Sequence, residues 1–166
     1  MSADRGRQSR FFRSLGRTWV AAVAGAVMAL AAMMSPPANA AMLFGNYNLH
    51  IPDRFDFHTW IFYIGPCGTT SPYPTDCLRV SARSQPIARA DAFTETAQLV
   101  DGHWVLTVDD PFGLRCGNVY YGPTIPTHDV YSWDANTLAG TLVSTFDAGC
   151  DGQPGSLTYP ISLTRM

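Results

Sequence analysis

The pair Asp101-Gly102 sits between two runs, residues 96–100 and 103–108, in which apolar and polar side chains alternate. Asp-Gly suits a two-residue type I′ turn, because both central positions need a positive φ. That turn predicts Val100 opposite His103, Leu99 opposite Trp104 and Ala97 opposite Leu106. One face is then Ala97, Leu99, Trp104, Leu106 and Val108. The other is Thr96, Gln98, His103 and Thr107, with Val105 the apolar exception. A slip of one residue would invert both faces, so the register is well specified. A chain built this way is committed to antiparallel, half-buried strands.

The same period of two recurs along the chain. Residues 43–51 place Leu43, Gly45, Tyr47, Leu49 and Ile51 on one face. Residues 59–64 are apolar on both faces, which predicts a central strand. Leu78, Val80 and Ala82 face in, against Arg79, Ser81 and Arg83 facing out. In 130–146 the turn-forming Asp-Ala-Asn-Thr separates Tyr131 and Trp133 from Leu138, Gly140, Leu142 and Phe146, all on one face if Trp133 sits opposite Leu138. The last strand buries Leu157, Tyr159, Ile161 and Leu163. Pro160 lies inside it and cannot donate to a ladder, which predicts an edge strand or a bulge. Residues 84–93 show no period and read as loop. Residues 109–127, with three prolines and three glycines, read as the longest irregular segment, of the kind that is functional or disordered. About eight short strands and no helix after residue 40 predict an all-β fold. The expected form is an antiparallel meander, either a small barrel or a sandwich, with Pro160 arguing against complete closure.

Residues 1–40 read as an address. Five arginines, Arg5 to Arg17, precede the apolar run 19–34; Pro36-Pro37 breaks the run, and Ala38-Asn39-Ala40 offers small residues for cleavage. That order is a secretory signal peptide, with cleavage expected after Ala40. The competing reading is a retained anchor, but the run falls short of the roughly 20 residues that cross a bilayer. The expected mature domain is 41–166, with no stable membrane insertion. There six arginines and no lysine oppose twelve acidic residues, a formal charge of −6. Such a body is a poor ligand for nucleic acid or for anionic lipid.

All four cysteines, Cys67, Cys77, Cys116 and Cys150, fall in the mature part. In an exported chain an even count reads as disulfides. Of the three possible pairings, Cys67–Cys77 with Cys116–Cys150 is favoured, since the first bridge closes a turn-rich segment that packing would not hold. A metal site is disfavoured by the absence of C-x-x-C and of paired histidine spacing.

No catalytic constellation emerges. His103 flanks a turn and faces out. His50 and His58 bracket Asp53 and Asp56 without a recognised ligand spacing. His128, Asp129 and Ser132 name the members of a triad, but adjacent strand residues point to opposite faces. Residues 147–155 are acidic and Gly-rich but lack the calcium-loop pattern. No residue set points to a cofactor. The aromatics Tyr47, Trp60, Phe62, Trp104, Tyr131, Trp133, Phe146 and Tyr159 converge on the inner face. They imply a filled core in preference to an apolar ligand pocket, because small barrels are filled by their own side chains.

Several short segments carry a resemblance. They are Trp60 with Cys67-Gly68, Cys77 with Val80, the run AQLVDGHWVL at 97–106, Cys116, the run YSWDANTLAG at 131–140, and Leu163-Thr164-Arg165. Their order resembles a family of small exported actinobacterial, chiefly mycobacterial, proteins. It also resembles extracytoplasmic segments of some mycobacterial membrane proteins, including serine/threonine kinases. The resemblance implies a disulfide-bonded β domain, secreted or in the cell envelope, and brings no catalytic residues. The expectation is therefore a monomeric, non-enzymatic binding module for a protein or envelope component. Its contact surface would be the loop end holding residues 110–126, because rigid strands presenting long loops is how such scaffolds bind. The alternative is a carrier of a small apolar ligand inside a barrel.

Overall fold

A computed structural model describes Met42, residues 44–86 and residues 92–166. The expected signal peptide lies outside the described residues. Eight antiparallel strands follow one another around a closed barrel in chain order, β1-β2-β3-β4-β5-β6-β7-β8. They are β1 (Gly45–His50), β2 (Thr59–Pro66), β3 (Cys77–Ser84), β4 (Ala92–Val100), β5 (His103–Arg115), β6 (Thr124–Asp134), β7 (Ala139–Phe146) and β8 (Gly155–Arg165). The barrel reading holds over the sandwich.

The Asp-Gly hairpin sits in its expected register, with Val100 opposite His103 and Leu99 opposite Trp104. Asp101 and Gly102 take φ values of 49° and 82°, as a type I′ turn requires. The ladder stops after Gln98–Val105, so the expected Ala97–Leu106 pair does not form, although both residues are buried. β4 keeps its register with β3 as far as Arg83–Ala92 and parts from β5 as the barrel curves. Where the two strands diverge, Phe93 turns in against Trp60, Phe62 and Tyr131, with ring centroids 5.6 to 6.3 Å apart.

Ser84 ends β3, and Ala92 and Phe93 begin β4, where loop was expected. Leu157 is exposed, not buried, because β8 there runs beyond the end of β1. Three other expectations change. First, Trp133 lies opposite Gly140, not Leu138. The shift is two residues, so the inner face is unchanged. The turn is longer because Asp134 Oδ1 accepts the N–H groups of Asn136 and Thr137 at 2.9 and 2.7 Å, and Leu138 takes a φ of 59°. A Cβ on Gly140 would stand 1.9 Å from the Ser132 carbonyl oxygen, which is why a glycine faces Trp133.

Second, most of 109–127 is strand. β5 and β6 pair through Asp110–Thr127, break register, and resume at Leu114–Ile125. Two extra residues bulge from β5 here, beside Pro111, which has no N–H to give a ladder. Asp110 Oδ1 closes the bulge by accepting the N–H of Phe112 at 2.8 Å.

Third, Pro160 sits within a closed wall. β1 ends at His50 opposite Ser162, so at Pro160 the strand has β7 alone as partner and no ladder bond to β1 is lost.

The interior is graded along the barrel axis. One end carries the 101–102 and 135–138 turns and the 67–76 loop; call it the turn end. Its half is filled by Trp104, Trp133, Leu106, Val80, Leu142 and their neighbours, and Trp133 Nε1 donates to Met42 Sδ at 3.4 Å. The expected filled core is present there. Each large apolar side chain so buried stabilises by roughly 1.5–3 kcal/mol. The opposite end carries the loops 51–58, 116–123 and 147–154. Toward it the inward positions turn polar: Ser84, Asp110, Thr127, Asp129 and Ser144 are all buried. Both expected disulfides form, Cys67–Cys77 at the turn end and Cys116–Cys150 joining two loops at the other.

Candidate binding site

The loop end is where unusual chemistry collects. Residues 116–123 cap the β5–β6 hairpin and begin with a single 3₁₀ turn, Cys116–Asn118. Main-chain bonds fix the loop: Cys116 N–H to the Pro123 carbonyl at 2.9 Å and Gly122 N–H to the Val119 carbonyl at 2.9 Å. The Cys116–Cys150 bridge ties it to the β7–β8 loop. Asn118 and Tyr121 hold φ values of 49° and 64°. A non-glycine residue there costs on the order of 1 kcal/mol, a strain that persists only where the surroundings impose it. Its effect is to turn Tyr121 wholly outward, 100% exposed, beside Tyr120 at 63% and Val119 at 60%. Phe55, on the neighbouring β1–β2 loop, packs against Tyr120 with the rings tilted by 43° and centroids 5.0 Å apart. The loop is thus stiff and its apolar side chains are in solvent.

Arg115 joins the two loops. Its guanidinium bonds the Asp56 carboxylate through Nε and the Gly122 carbonyl through Nη1, the latter at 2.6 Å. Asp56 also accepts the Phe57 N–H at 2.9 Å. Both partners are largely buried, so this ion pair holds better than an exposed one would.

Between these loops opens a cavity of about 270 Å³, walled by Asp53, Arg54, Asp56, Arg115, Asn118 and Tyr159 among others. Arg54 reaches in from the β1–β2 loop and is only 5% exposed. Its guanidinium carbon stands 5.9 Å from the ring centres of Phe57 and Tyr159. Deeper in the barrel, Asp129 lies between Val108 and Ser144 across the ladders, and Asp110 beside Thr127. Asp129 is 0% exposed, and neither of its carboxylate oxygens has a hydrogen-bond partner. The Arg54 terminal nitrogens and the Thr127 and Ser144 hydroxyls also lack one. Burial, aided by the Asp129 charge, raises the Asp110 pKa above the ordinary carboxylate range, although the Phe112 N–H and Arg54 pull it down. Burial likewise pushes the Tyr131 phenol well above its usual range, with Asp129 adding to the shift and Arg54 opposing it. Arg54 is therefore coupled to the cluster and to the Tyr131 phenol, although its terminal nitrogens meet no partner in full hydrogen-bond geometry.

A larger, open groove of about 660 Å³ runs over the outer wall past Asp109, Pro111, His128, Thr145 and Phe146. Here the hypothetical triad resolves. His128 points outward and its Nδ1 lies 2.7 Å from Asp109 Oδ1, while Asp129 points inward. Thr145 completes a row across β5, β6 and β7, but its hydroxyl donates to the His128 main-chain carbonyl at 3.2 Å, not to the ring. No base therefore activates that hydroxyl. Ser132 is opposite Val105 and Thr141, well away from His128 along β6. His50 and His58 meet edge to face at 6.5 Å, and no group of three or more metal-ligating side chains occurs among the described residues. His103 is exposed, as expected.

The tip of the β5–β6 hairpin falls within the 110–126 segment singled out from the sequence. The interior cluster was not singled out, yet parity along the strands carries it. Asp129 and Thr127 share the face of Tyr131 and Trp133, Ser144 shares that of Leu142, and Asp110 that of Leu106 and Val108. Nothing in the sequence marks Arg54. Comparisons with protein-family models, with curated proteins and with solved structures find no match to the chain.

Proposed function

We propose that the chain is a non-enzymatic binding domain of the cell envelope or extracellular space, engaging a protein or envelope component through the loop end of its barrel. The observation that carries this is the loop 116–123, braced by a disulfide and main-chain bonds, which holds Val119, Tyr120 and Tyr121 out in solvent with Tyr120 beside Phe55. Tyrosines supply large contact area at low entropic cost and are enriched at binding hot spots. Fixing them in advance removes part of the ordering cost of association. The two disulfides are those of a chain that matures in an oxidising compartment. No helix among the described residues is long and apolar enough to cross a membrane. The resemblance to exported actinobacterial proteins supports an extracytoplasmic setting.

The carrier reading draws less support, because rings and branched aliphatics fill the turn-end half of the interior. The test compares sedimentation of the protein with isolated envelope fractions for wild type, Tyr120→Ser/Tyr121→Ser and Tyr73→Ser. Retention should fall about tenfold or more for the first variant, the loss of a two-residue hot spot, and hold for the second. Equal retention of all three would reject it.

A further inference from the structure

We propose that the loop end of the barrel encloses a site for an organic cation, a guanidinium or primary ammonium head, and that Arg54 occupies it in the free protein. The receptor is built by the barrel wall. Asp129, wholly buried, offers two carboxylate oxygens without partners, and the Thr127 and Ser144 hydroxyls beside it are equally unspent. Asp110 adds a second carboxyl, and the faces of Phe57 and Tyr159 flank the guanidinium. Carboxylates with aromatic faces are the chemistry that recognises an organic cation.

Arg54 meets only half of this chemistry. It brings a positive charge that bears on the Tyr131 phenol, but its terminal nitrogens meet no partner, the Asp129 carboxylate included, in full hydrogen-bond geometry. It hangs from the β1–β2 loop, where the Arg54 N–H reaches the Ile51 carbonyl at a long 3.3 Å. The tether sets where the guanidinium stops. An untethered cation can settle into two charge-assisted bonds with Asp129, which Arg54 does not make. A buried carboxylate and a buried guanidinium left without those bonds are both unfavourable, so this occupant is held weakly. The route in is on hand: the cavity of about 270 Å³ opens over Arg54, lined by Asp53 and by the paired Asp56 and Arg115. An anion would meet the Asp129 carboxylate, and a neutral ligand would leave it uncompensated. This inference shares the loop end with the proposed binding surface but uses none of Val119, Tyr120 or Tyr121, so either can fail alone.

The experiment uses methylguanidinium chloride as probe, with sodium chloride at matched ionic strength as reference, on the disulfide-bonded protein. Unfolding temperature is followed for wild type, Arg54→Ala and Arg54→Ala/Asp129→Asn. Emptying the site should give Arg54→Ala a saturable rise whose midpoint lies about tenfold below that of wild type, where the probe must first displace Arg54. The double variant should show no rise. A rise that survives Asp129→Asn, or an Arg54→Ala response no stronger than wild type's, overturns the proposal. Amide exchange on wild type keeps the test decisive if Arg54→Ala does not fold. Saturating probe should speed exchange at residues 53–56 and leave the β6 and β7 amides unchanged. No change at 53–56 overturns the proposal as surely.

Discussion

Removing the two disulfides separately should cost unequal amounts. Cys116–Cys150 closes 34 residues and Cys67–Cys77 closes 10. Restriction of the unfolded chain scales with the logarithm of loop length, giving about 3.8 kcal/mol for the longer loop and about 2.7 kcal/mol for the shorter at 25 °C. In a domain of this size each kcal/mol moves the midpoint by about 4 °C, hence about 15 °C against about 11 °C. The perturbations are Cys116→Ser/Cys150→Ser and Cys67→Ser/Cys77→Ser, made as pairs so that no free thiol is left. The assay is thermal unfolding by circular dichroism, with limited proteolysis of the folded state beside it. The first pair should also open 116–123 and 147–154 to cleavage, because the bridge joins those loops; the second should open only 67–76. A larger loss from the shorter bridge, or cleavage at 116–123 unchanged by the first pair, would rule out loop length as the source of the difference.

Two further outcomes follow from the interior. Asp110 has a pKa raised by burial and by the Asp129 charge, so the folded state favours its neutral form. Its contribution to stability is full below the ordinary value of 3.8 and is lost as pH rises through the folded value. Asp110→Asn, which keeps an acceptor for Phe112, should therefore be more stable than wild type at neutral pH. The gap should vanish on acidification, and denaturant midpoints across pH 3 to 8 would read it. Gly140→Ala should cost about 3 kcal/mol or more, as overpacking of a filled interior does. A Cβ there meets the Ser132 carbonyl at 1.9 Å and the Trp133 Cα at 2.6 Å, both backbone. An unchanged denaturant midpoint would contradict the register.

Much of the barrel is legible in the chain because a period of two cannot be satisfied any other way once turns fix the register. The Asp101-Gly102 turn sets Leu99 against Trp104 from local chemistry alone. What local patterning misses is set by neighbours distant in sequence. Pro111 and Gly113 read as breakers, but the β5–β6 ladder resumes beyond them because Leu114 finds Ile125. Pro160 reads as an edge marker, yet the barrel closes because β1 ends before reaching it. Strand parity sends Asp129 inward, but composition argues against burying it, and only its companions at the loop end give that position meaning. Arg54 enters the barrel from a loop with no periodicity to betray it.

The claim that the loop end is the recognition end is tested most directly by site-specific photo-crosslinking in the producing cell. A photoreactive phenylalanine is placed at Tyr121, on the β5–β6 tip, or at Tyr73, exposed at the turn end. A discrete adduct is expected from position 121 and none from position 73. An adduct from 73 alone, or none from 121, would contradict it.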